Sequence, residues 1–318
     1  MVRFYVPRHA AAGLAKIPIL LIAVSALVGV LDSCQPRQFL FDEWHPPVAV
    51  HQSRDGLLYA AGNADSGKLI VYLDGGGPRS VLGSLESAGG FTAPSAYWGF
   101  LYVLGDDWQV VAPEKLSAEP GEAYQFDEEF LRHYGARNLI AQYARLIDRY
   151  LSENRVANAV IVGQSEGALV LPGVYQAMQE QARVAALVSF SGGGMSPYEY
   201  AQLGTDAGPA GLRDVWWERV DADPDSIEQT YQGLPFRWWS SWQSYSPLDA
   251  YRGVDIPVLF VHGTEDSRVP AASTRLVESA LPDKPFEYWY LEGEGHGSRS
   301  AEELVELLSD VDDWLSRL

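Results

Sequence analysis

The feature that most constrains the fold is the run Gly-Gln-Ser-Glu-Gly at residues 163–167. It follows the apolar residues 159–162 directly and leads into a stretch, from Glu166 to about Arg183, that predicts a helix. A strand that enters a helix through G-x-S-x-G turns so tightly that the positions flanking the serine must be small. The turn exposes the serine oxygen above the amino terminus of the helix. Ser165 is therefore predicted to be a nucleophile.

Apolar and amphipathic segments alternate along the chain. Strands are predicted at residues 48–50, 56–60, 68–73, 108–113, 159–162, 185–190, 257–261 and 286–291. Besides the helix that follows the serine, helices are predicted at residues 136–153 and at the carboxyl end, where Ser300 and Glu303 form a capping box. This alternation predicts an α/β fold with a mostly parallel sheet covered by helices on both faces.

The interval between the strands that end near Phe190 and begin near Pro257 is too long for one crossover helix. Residues 195–251 within it hold half of the ten tryptophans of the chain: Trp216, Trp217, Trp238, Trp239 and Trp242. We predict that this aromatic-rich segment is a cap inserted over the active site. Two roles remain open for its rings, which either line a substrate pocket or pack the cap onto the body of the domain.

A serine hydroxyl needs a base to accept its proton, and the base needs an acid to orient it. Five of the six histidines are set aside by their positions in the leader, ahead of the sheet, at the start of a helix or in a strand-end turn: His9, His45, His51, His133 and His262. His296 lies in a glycine-rich loop between the last strand and the last helix, which can bring an imidazole over Ser165. His296 is therefore the predicted base.

The orienting acid should follow the strand at 257–261, where Glu265 and Asp266 are adjacent. Sequence geometry alone does not separate the two. An oxyanion hole further requires two backbone N–H groups directed at the developing negative charge. Glu166 supplies one, as the residue after the nucleophile, and the glycine run 75–77 after the strand at 68–73 lets the backbone approach closely enough to supply the other.

The order serine, acid, histidine, together with the elbow and the glycine loop, resembles the α/β-hydrolase superfamily over roughly residues 47–318. Residues 262–270 read His-Gly-Thr-Glu-Asp-Ser-Arg-Val-Pro, which is similar to the H-G-x-x-D-x-x-V-P segment of the dienelactone hydrolase and prolyl oligopeptidase-like branch. This similarity selects Asp266 as the acid. The resemblance implies a serine hydrolase whose catalytic residues are Ser165, His296 and Asp266.

The glycine loop carries a second resemblance. Residues 74–78, Asp-Gly-Gly-Gly-Pro, resemble the H-G-G-G and H-G-G-P-G loops of esterases and proline iminopeptidase-like enzymes, with Asp74 in place of histidine. By analogy with H-G-G-G loops, Gly76 and Gly77 carry the oxyanion donors. The sequence contains neither H-E-x-x-H nor a cysteine cluster, so no metal or organic cofactor is implied.

The amino terminus has the features of an export signal. Residues 1–33 combine three basic residues with the apolar run Ile17 to Leu31, which is shorter than the ~20 residues that span a bilayer comfortably. The run ends in Leu-Asp-Ser-Cys, which resembles the lipobox of bacterial lipoproteins, with Asp32 where a small residue is usual. Cys34, the only cysteine, is the predicted lipidation site, and residues 34–46 form a tether. The alternative is an uncleaved signal-anchor helix with an idle thiol.

These features predict a lipid-anchored protein of the bacterial cell envelope, either periplasmic or on the outer surface. A formal net charge of -19 argues against nucleic acid as a partner. The predicted substrates are small to medium uncharged carboxylic esters with an apolar or aromatic group. A peptidase of the same fold, with Asp74, Glu166 or Glu265 holding a substrate amine, and a catalytically silent binding module are the alternatives.

Overall fold

The structure is a computed structural model. It describes residues 2–5, 46–77, 80–82, 84–86, 92–94, 96–115, 128–203, 210–297 and 300–318. Cys34 and most of the predicted leader and tether lie outside these residues. None of the described helices is long and apolar enough to cross a membrane.

The main sheet has nine strands among the described residues, and it is mostly parallel, as the sequence predicts. The strands that the structure describes are β1 (Val2–Tyr5), β2 (Ala49–Ser53), β3 (Gly56–Gly62), β4 (Lys68–Leu73), β5 (Ser84–Glu86), β6 (Thr92–Pro94), β7 (Gln109–Pro113), β8 (Asn158–Gln164), β9 (Val184–Phe190), β10 (Thr230–Tyr231), β11 (Leu234–Pro235), β12 (Val258–Gly263) and β13 (Phe286–Leu291). The spatial order in the main sheet is β1-β13-β12-β9-β8-β4-β7-β3-β2. Only the β2–β3 and β3–β7 pairs in that sheet are antiparallel.

Helices cover both faces of the sheet. They are α1 (Ala96–Leu104), α2 (Glu128–His133), α3 (Ala136–Glu153), α4 (Glu166–Ala177), α5 (Pro197–Leu203), α6 (Ala210–Ala222), α7 (Phe236–Gln243), α8 (Pro247–Arg252), α9 (Ala272–Ala280) and α10 (Ala301–Leu315). Successive strand residues point to opposite faces, so Val71 packs in the core with α3 and α4 while Ile70 packs in the core with α1 and α10.

The parallel strands bring every predicted active-site segment to one edge of the sheet. The glycine loop follows β4, Ser165 follows β8, Asp266 follows β12 and His296 follows β13. Because the carboxyl ends of parallel strands meet at the same edge, residues distant in sequence converge there. At the start of α10, the Ser300 Oγ accepts the Glu303 N–H at 3.2 Å, in the predicted capping arrangement.

The helix after the elbow is shorter than predicted, because it ends at Ala177 rather than near Arg183. The Asp148 carboxylate of α3 accepts the backbone N–H groups of Gln179 at 2.9 Å and Glu180 at 3.0 Å. These hydrogen bonds replace the ones that a longer helix would form. A single 3₁₀ turn, Gln181–Arg183, then leads into β9.

The segment between β9 and β12 contains α5, α6, α7, α8 and the β10–β11 hairpin. Four of its five tryptophans are buried: Trp217, Trp238, Trp239 and Trp242. Their rings contact one another edge to face, with centroids 4.8 Å apart for Trp238 and Trp239 and 5.4 Å apart for Trp217 and Trp239. Because the rings belong to the same apolar core as α3 and α4, they join the insertion to the body of the domain.

Candidate active site

Ser165 lies at the turn between β8 and α4 and has a positive φ of 54°. The neighbouring glycines permit this turn. A Cβ at Gly163 would lie 2.5 Å from the Gly167 carbonyl oxygen, and one at Gly167 would lie 2.1 Å from the Leu73 carbonyl oxygen. Any residue larger than glycine at these two positions would overlap neighbouring backbone atoms. The two glycines therefore permit the strained backbone conformation that exposes the Ser165 side chain.

His296 reaches Ser165 from the loop after β13. Its Nε2 is 2.9 Å from the Ser165 Oγ, and its Nδ1 is 2.8 Å and 3.0 Å from the two carboxylate oxygens of Asp266. A carboxylate can only accept a hydrogen bond, so Nδ1 carries the proton and Nε2 is free to accept one from the serine. The three residues thus form a continuous hydrogen-bonded chain.

Asp266 is buried and accepts several hydrogen bonds. Its Oδ1 accepts the backbone N–H groups of Arg268 and Val269, each at 2.9 Å. Burial alone would raise the pKa of the Asp266 carboxyl, but hydrogen bonds from His262, His296 and Val269, with the charge of His296, bring that pKa well below its usual range. The acid is therefore ionised throughout the neutral pH range. Glu265, the adjacent acid, is exposed.

His262 is buried at the end of β12. Its Nδ1 lies 2.7 Å from the Thr274 Oγ1 and its Nε2 lies 2.9 Å from the Val269 carbonyl oxygen. The ring therefore links the strand end to the loop that carries Asp266 and to α9. It supports the acid and forms no hydrogen bond with Ser165 in the described part of the chain.

Of the three predicted oxyanion donors, Glu166 and Gly76 lie together at the elbow, whereas the Gly77 N–H is bonded elsewhere. Glu166 is the first residue of α4, and a Cβ at Gly76 would lie 3.7 Å from the Glu166 Cβ, so these two residues flank the elbow together. Gly77 requires a correction, because its N–H donates to the Tyr134 hydroxyl at 2.8 Å. A backbone N–H that is already bonded inside the protein is not available to a substrate oxygen.

The side chain of Glu166 is buried and hydrogen-bonded at both oxygens. The Trp238 Nε1–H donates to Oε1 at 2.7 Å, and the Tyr134 hydroxyl donates to Oε2 at 2.9 Å. Burial raises the pKa of the Glu166 carboxyl, and the nearby charge of Lys115 with these two hydrogen bonds opposes part of that rise. One buried carboxylate thus connects the elbow to Tyr134, the residue after α2, and to the inserted α7.

A cavity of about 380 Å³ lies beside His296, the hydrogen-bond partner of Ser165, within the size range of ligand pockets. It is bounded by Gln164 and His296 and lies between α1, α10 and the strand ends. Among its walls are the apolar side chains Phe100, Phe190, Leu304 and Leu307 and the acidic side chains Glu292, Glu294, Glu303 and Glu306. Among the residues described by the structure, the five tryptophans of the insertion do not line this cavity.

Within the described part of the chain, no group of three or more histidine, cysteine, aspartate or glutamate residues is arranged to hold a metal ion.

By sequence, the pattern of the Prolyl oligopeptidase family matches residues 213–318, which contain Asp266 and His296. Curated proteins give no sequence match.

Solved structures share the architecture. Est1E from Butyrivibrio proteoclasticus has a TM-score of 0.59 at 15% identity, over 85% of this chain and 98% of Est1E. The acylaminoacyl peptidase of Pyrococcus horikoshii has a TM-score of 0.56 at 17% identity, over 86% of this chain and 41% of the peptidase. The chain has the α/β-hydrolase fold. A puromycin-hydrolysing peptidase of Mycobacterium tuberculosis also shares it, with a TM-score of 0.54 at 20% identity over 83% of this α/β-hydrolase chain and 38% of the peptidase.

Together, these similarities show the α/β-hydrolase fold, in which Ser165, His296 and Asp266 are hydrogen-bonded in the order that nucleophilic catalysis requires. Lys115, Tyr134 and the ring nitrogen of Trp238 surround the glycine loop and Glu166 without being predicted from the sequence. One signal for Lys115 was present, since it follows β7 at the same sheet edge as the other active-site segments. Tyr134 and Trp238 carry no comparable signal.

Proposed function

We propose that this protein is a serine hydrolase that cleaves carboxylic esters of small to medium uncharged molecules through an acyl-enzyme. One observation carries the proposal: the Ser165 Oγ, the His296 imidazole and the Asp266 carboxylate form consecutive hydrogen bonds of 2.9 Å and 2.8 Å. An imidazole held in this tautomer is a general base directed at the serine.

The first half of the reaction acylates the serine. His296 Nε2 takes the hydroxyl proton while Ser165 Oγ attacks the ester carbonyl carbon. The carbonyl oxygen becomes an oxyanion and accepts hydrogen bonds from the N–H groups of Glu166 and Gly76. When the tetrahedral intermediate collapses, the C–O bond to the alcohol breaks and His296 returns its proton to that oxygen. The alcohol leaves, and the acyl group remains on Ser165.

Water completes the cycle by the same steps. His296 Nε2 accepts a proton from water as the water oxygen attacks the acyl carbon. Collapse of the second intermediate breaks the bond to Ser165 Oγ, which recovers its proton from His296 and releases the carboxylic acid. Asp266 stabilises the imidazolium in both halves without being protonated itself.

The cavity beside His296 supports the substrate class. Its apolar walls suit a hydrocarbon or aromatic group, whereas its four glutamates repel a substrate that carries a carboxylate. The fold relative Est1E has been solved with ferulic acid bound, and the aromatic ring of that acid corresponds to the aromatic group of the ester proposed here. We infer that the apolar part of the ester occupies this cavity.

A peptidase is the second candidate, and the same glutamates favour it. They would attract the cationic amine of an aminoacyl substrate, and two fold relatives are named as peptidases. Asp74 and Glu166 are poorly suited to hold that amine, because both are buried and already accept hydrogen bonds from Tyr72, Tyr134 and Trp238.

A set of chromogenic substrates separates the two candidates. The 4-nitrophenyl esters of acetic, 3-phenylpropanoic and succinic acids share one leaving group and differ in the size and charge of the acyl group. An esterase of the proposed specificity gives the highest kcat/KM for phenylpropanoate and the lowest for the succinate anion. Phenylalanine 4-nitroanilide and its N-acetyl derivative test the peptidase. Hydrolysis of the free-amine anilide as fast as the best ester, with loss on acetylation, would replace our proposal by the peptidase.

The proposed setting is the bacterial cell envelope, with the protein held at the membrane by lipid on Cys34. This part rests on the sequence of the amino terminus, where a basic segment and an apolar run precede the only cysteine. The acidic net charge of -19 is consistent with small molecules, rather than nucleic acids, as ligands.

A further inference from the structure

Lys115 occupies an unusual position beneath the glycine loop. It is the second residue after β7 and is only 2% exposed. Its ammonium donates a hydrogen bond to the Gly75 carbonyl oxygen at 2.5 Å. It has no carboxylate at ion-pair distance among the described residues, although its charge acts on the Glu166 carboxyl, where it opposes part of the rise that burial causes in the pKa. Burying an ammonium that lacks a direct anionic partner costs free energy, so packing alone does not account for a lysine here.

The geometry of the peptide group gives the lysine a role. A trans peptide is planar, and its C=O and N–H point in opposite directions. When Lys115 holds the Gly75 carbonyl oxygen, the N–H of the same peptide, which belongs to Gly76, is directed to the other side. That N–H has no hydrogen-bond acceptor among the described residues. A charged donor on the carbonyl also polarises the peptide and makes its N–H a stronger donor.

Tyr134 fixes the next peptide of the loop. Its hydroxyl accepts the Gly77 N–H at 2.8 Å and donates to the Glu166 Oε2 at 2.9 Å. The loop is thereby tied to Glu166, the residue that follows the nucleophile. The Gly76 N–H lies between the Gly75 carbonyl oxygen, held by Lys115, and the Gly77 N–H, held by Tyr134. The separation between the Gly76 and Glu166 backbones then depends on one buried hydroxyl.

We propose that Lys115 and Tyr134 are positioning residues for the oxyanion hole, in which Gly76, rather than Gly77, supplies the donor opposite Glu166. Lys115 orients and polarises the Gly75–Gly76 peptide, and Tyr134 sets its distance from the elbow. Neither side chain contacts the substrate. The inference rests on the serine hydrolase activity proposed above.

Two variants with matched controls test this inference. Lys115→Met removes the ammonium but keeps the length of the side chain. Its control is Lys68→Met, which removes the same charge at the end of β4 that lies away from the glycine loop. Tyr134→Phe removes the bridging hydroxyl. Tyr143→Phe removes an equally buried hydroxyl that has no hydrogen-bond partner in the described part of the chain. The purified full-length variants are compared by thermal unfolding and by steady-state kinetics with 4-nitrophenyl 3-phenylpropanoate.

We expect Lys115→Met and Tyr134→Phe to lower kcat by about 10- to 100-fold with little change in KM, since loss of one whole oxyanion donor costs about 100- to 1,000-fold. The control variants should stay close to the wild type. An aryl trifluoromethyl ketone, which adds to the serine and forms an oxyanion, should bind more weakly by the factor by which kcat/KM falls. The matching methyl ketone, which does not form the adduct, should bind unchanged.

The rate of fluorophosphonate labelling separates the possible failures, because it reports on Ser165 without needing a substrate. A wild type that is not labelled would refute the proposed function and this inference with it. A labelled wild type with equally fast Lys115→Met and Tyr134→Phe variants would overturn this inference alone. Equal weakening of both ketones would also overturn it, since that result indicates a general loss of the pocket. If Lys115→Met does not fold, Tyr134→Phe decides the outcome.

Discussion

Replacing Asp266 by asparagine should move the imidazole proton of His296 from Nδ1 to Nε2. The Asp266 Oδ1 accepts hydrogen bonds from the backbone N–H groups of Arg268 and Val269, at 2.9 Å each. In an asparagine side chain the single amide oxygen must occupy the Oδ1 position, because only an oxygen can accept these two hydrogen bonds. The amide nitrogen of the asparagine must then occupy the place of Oδ2, 2.8 Å from the His296 Nδ1. Because an amide N–H can only donate, Nδ1 must lose its proton and Nε2 must carry it.

An Nε2 that already carries a proton cannot accept one from Ser165. We therefore expect Asp266→Asn to lower kcat by about 10⁴-fold, or about 5.5 kcal/mol at 1.36 kcal/mol per factor of ten. KM should change little, since Asp266 is buried behind the histidine. The assay is steady-state hydrolysis of 4-nitrophenyl acetate at neutral pH, with circular dichroism to verify the fold.

Glu265→Gln is the matched control for this substitution. It makes the same chemical change one residue earlier, at an exposed side chain. Surface substitutions usually change free energies by no more than about 0.5 kcal/mol, so its kcat should remain within about twofold of the wild type. A larger loss in Glu265→Gln than in Asp266→Asn would refute our choice of acid. A loss of kcat smaller than about tenfold in Asp266→Asn would refute the tautomer argument.

Three further predictions concern the insertion, the cavity and the amino terminus. Trp239→Ala should lower the free energy of unfolding by about 3–5 kcal/mol and reduce kcat/KM equally for aryl and acetyl esters; a loss confined to the aryl ester would make the ring a pocket wall. Leu304→Trp, which adds bulk to a cavity wall, should slow the phenylpropanoate ester far more than the acetate, and equal slowing would place the acyl group elsewhere. Cys34→Ser should abolish lipid attachment, read from the intact mass of the membrane-extracted protein, and a wild-type chain that still begins at Met1 without added lipid would contradict both cleavage and anchoring.

The sequence indicated the sheet and the three helices α3, α4 and α10 because their apolar patterns are strong. Strands such as β4 and β8 are short apolar runs ending in glycine turns, and α3 has a clear apolar face. Helix α1 was not predicted, because Ala96–Leu104 is apolar nearly all round and lacks the periodicity that identifies an amphipathic helix. The cavity beside α1 was therefore not foreseen either.

The site was predictable as far as local motifs determine it. The elbow at Ser165 follows from two glycines and a strand, and the chain order left few choices for the histidine. The partners of Glu166 could not be read from the sequence, because Tyr134 and Trp238 lie 32 and 72 residues away from it. For the same reason, the analogy to glycine loops did not reveal that the Gly77 N–H bonds to Tyr134.

The burial of the tryptophans illustrates a different limit. A cluster of rings in an insertion has the same composition whether it lines a pocket or packs a core. Only the fold shows that Trp217, Trp238, Trp239 and Trp242 are buried and contact one another.

The central claim is that Ser165 attacks the substrate and carries the acyl group. The most direct measurement is the intact mass of the protein during rapid-quench turnover of 4-nitrophenyl 3-phenylpropanoate, followed by peptide mapping of the adduct. We expect a transient mass increase equal to one phenylpropanoyl group, located on Ser165 in the wild type and absent from Ser165→Ala. An adduct on another residue, or undiminished turnover by Ser165→Ala, would contradict the account. A wild type that neither hydrolyses the ester nor forms an adduct would indicate a silent binding module.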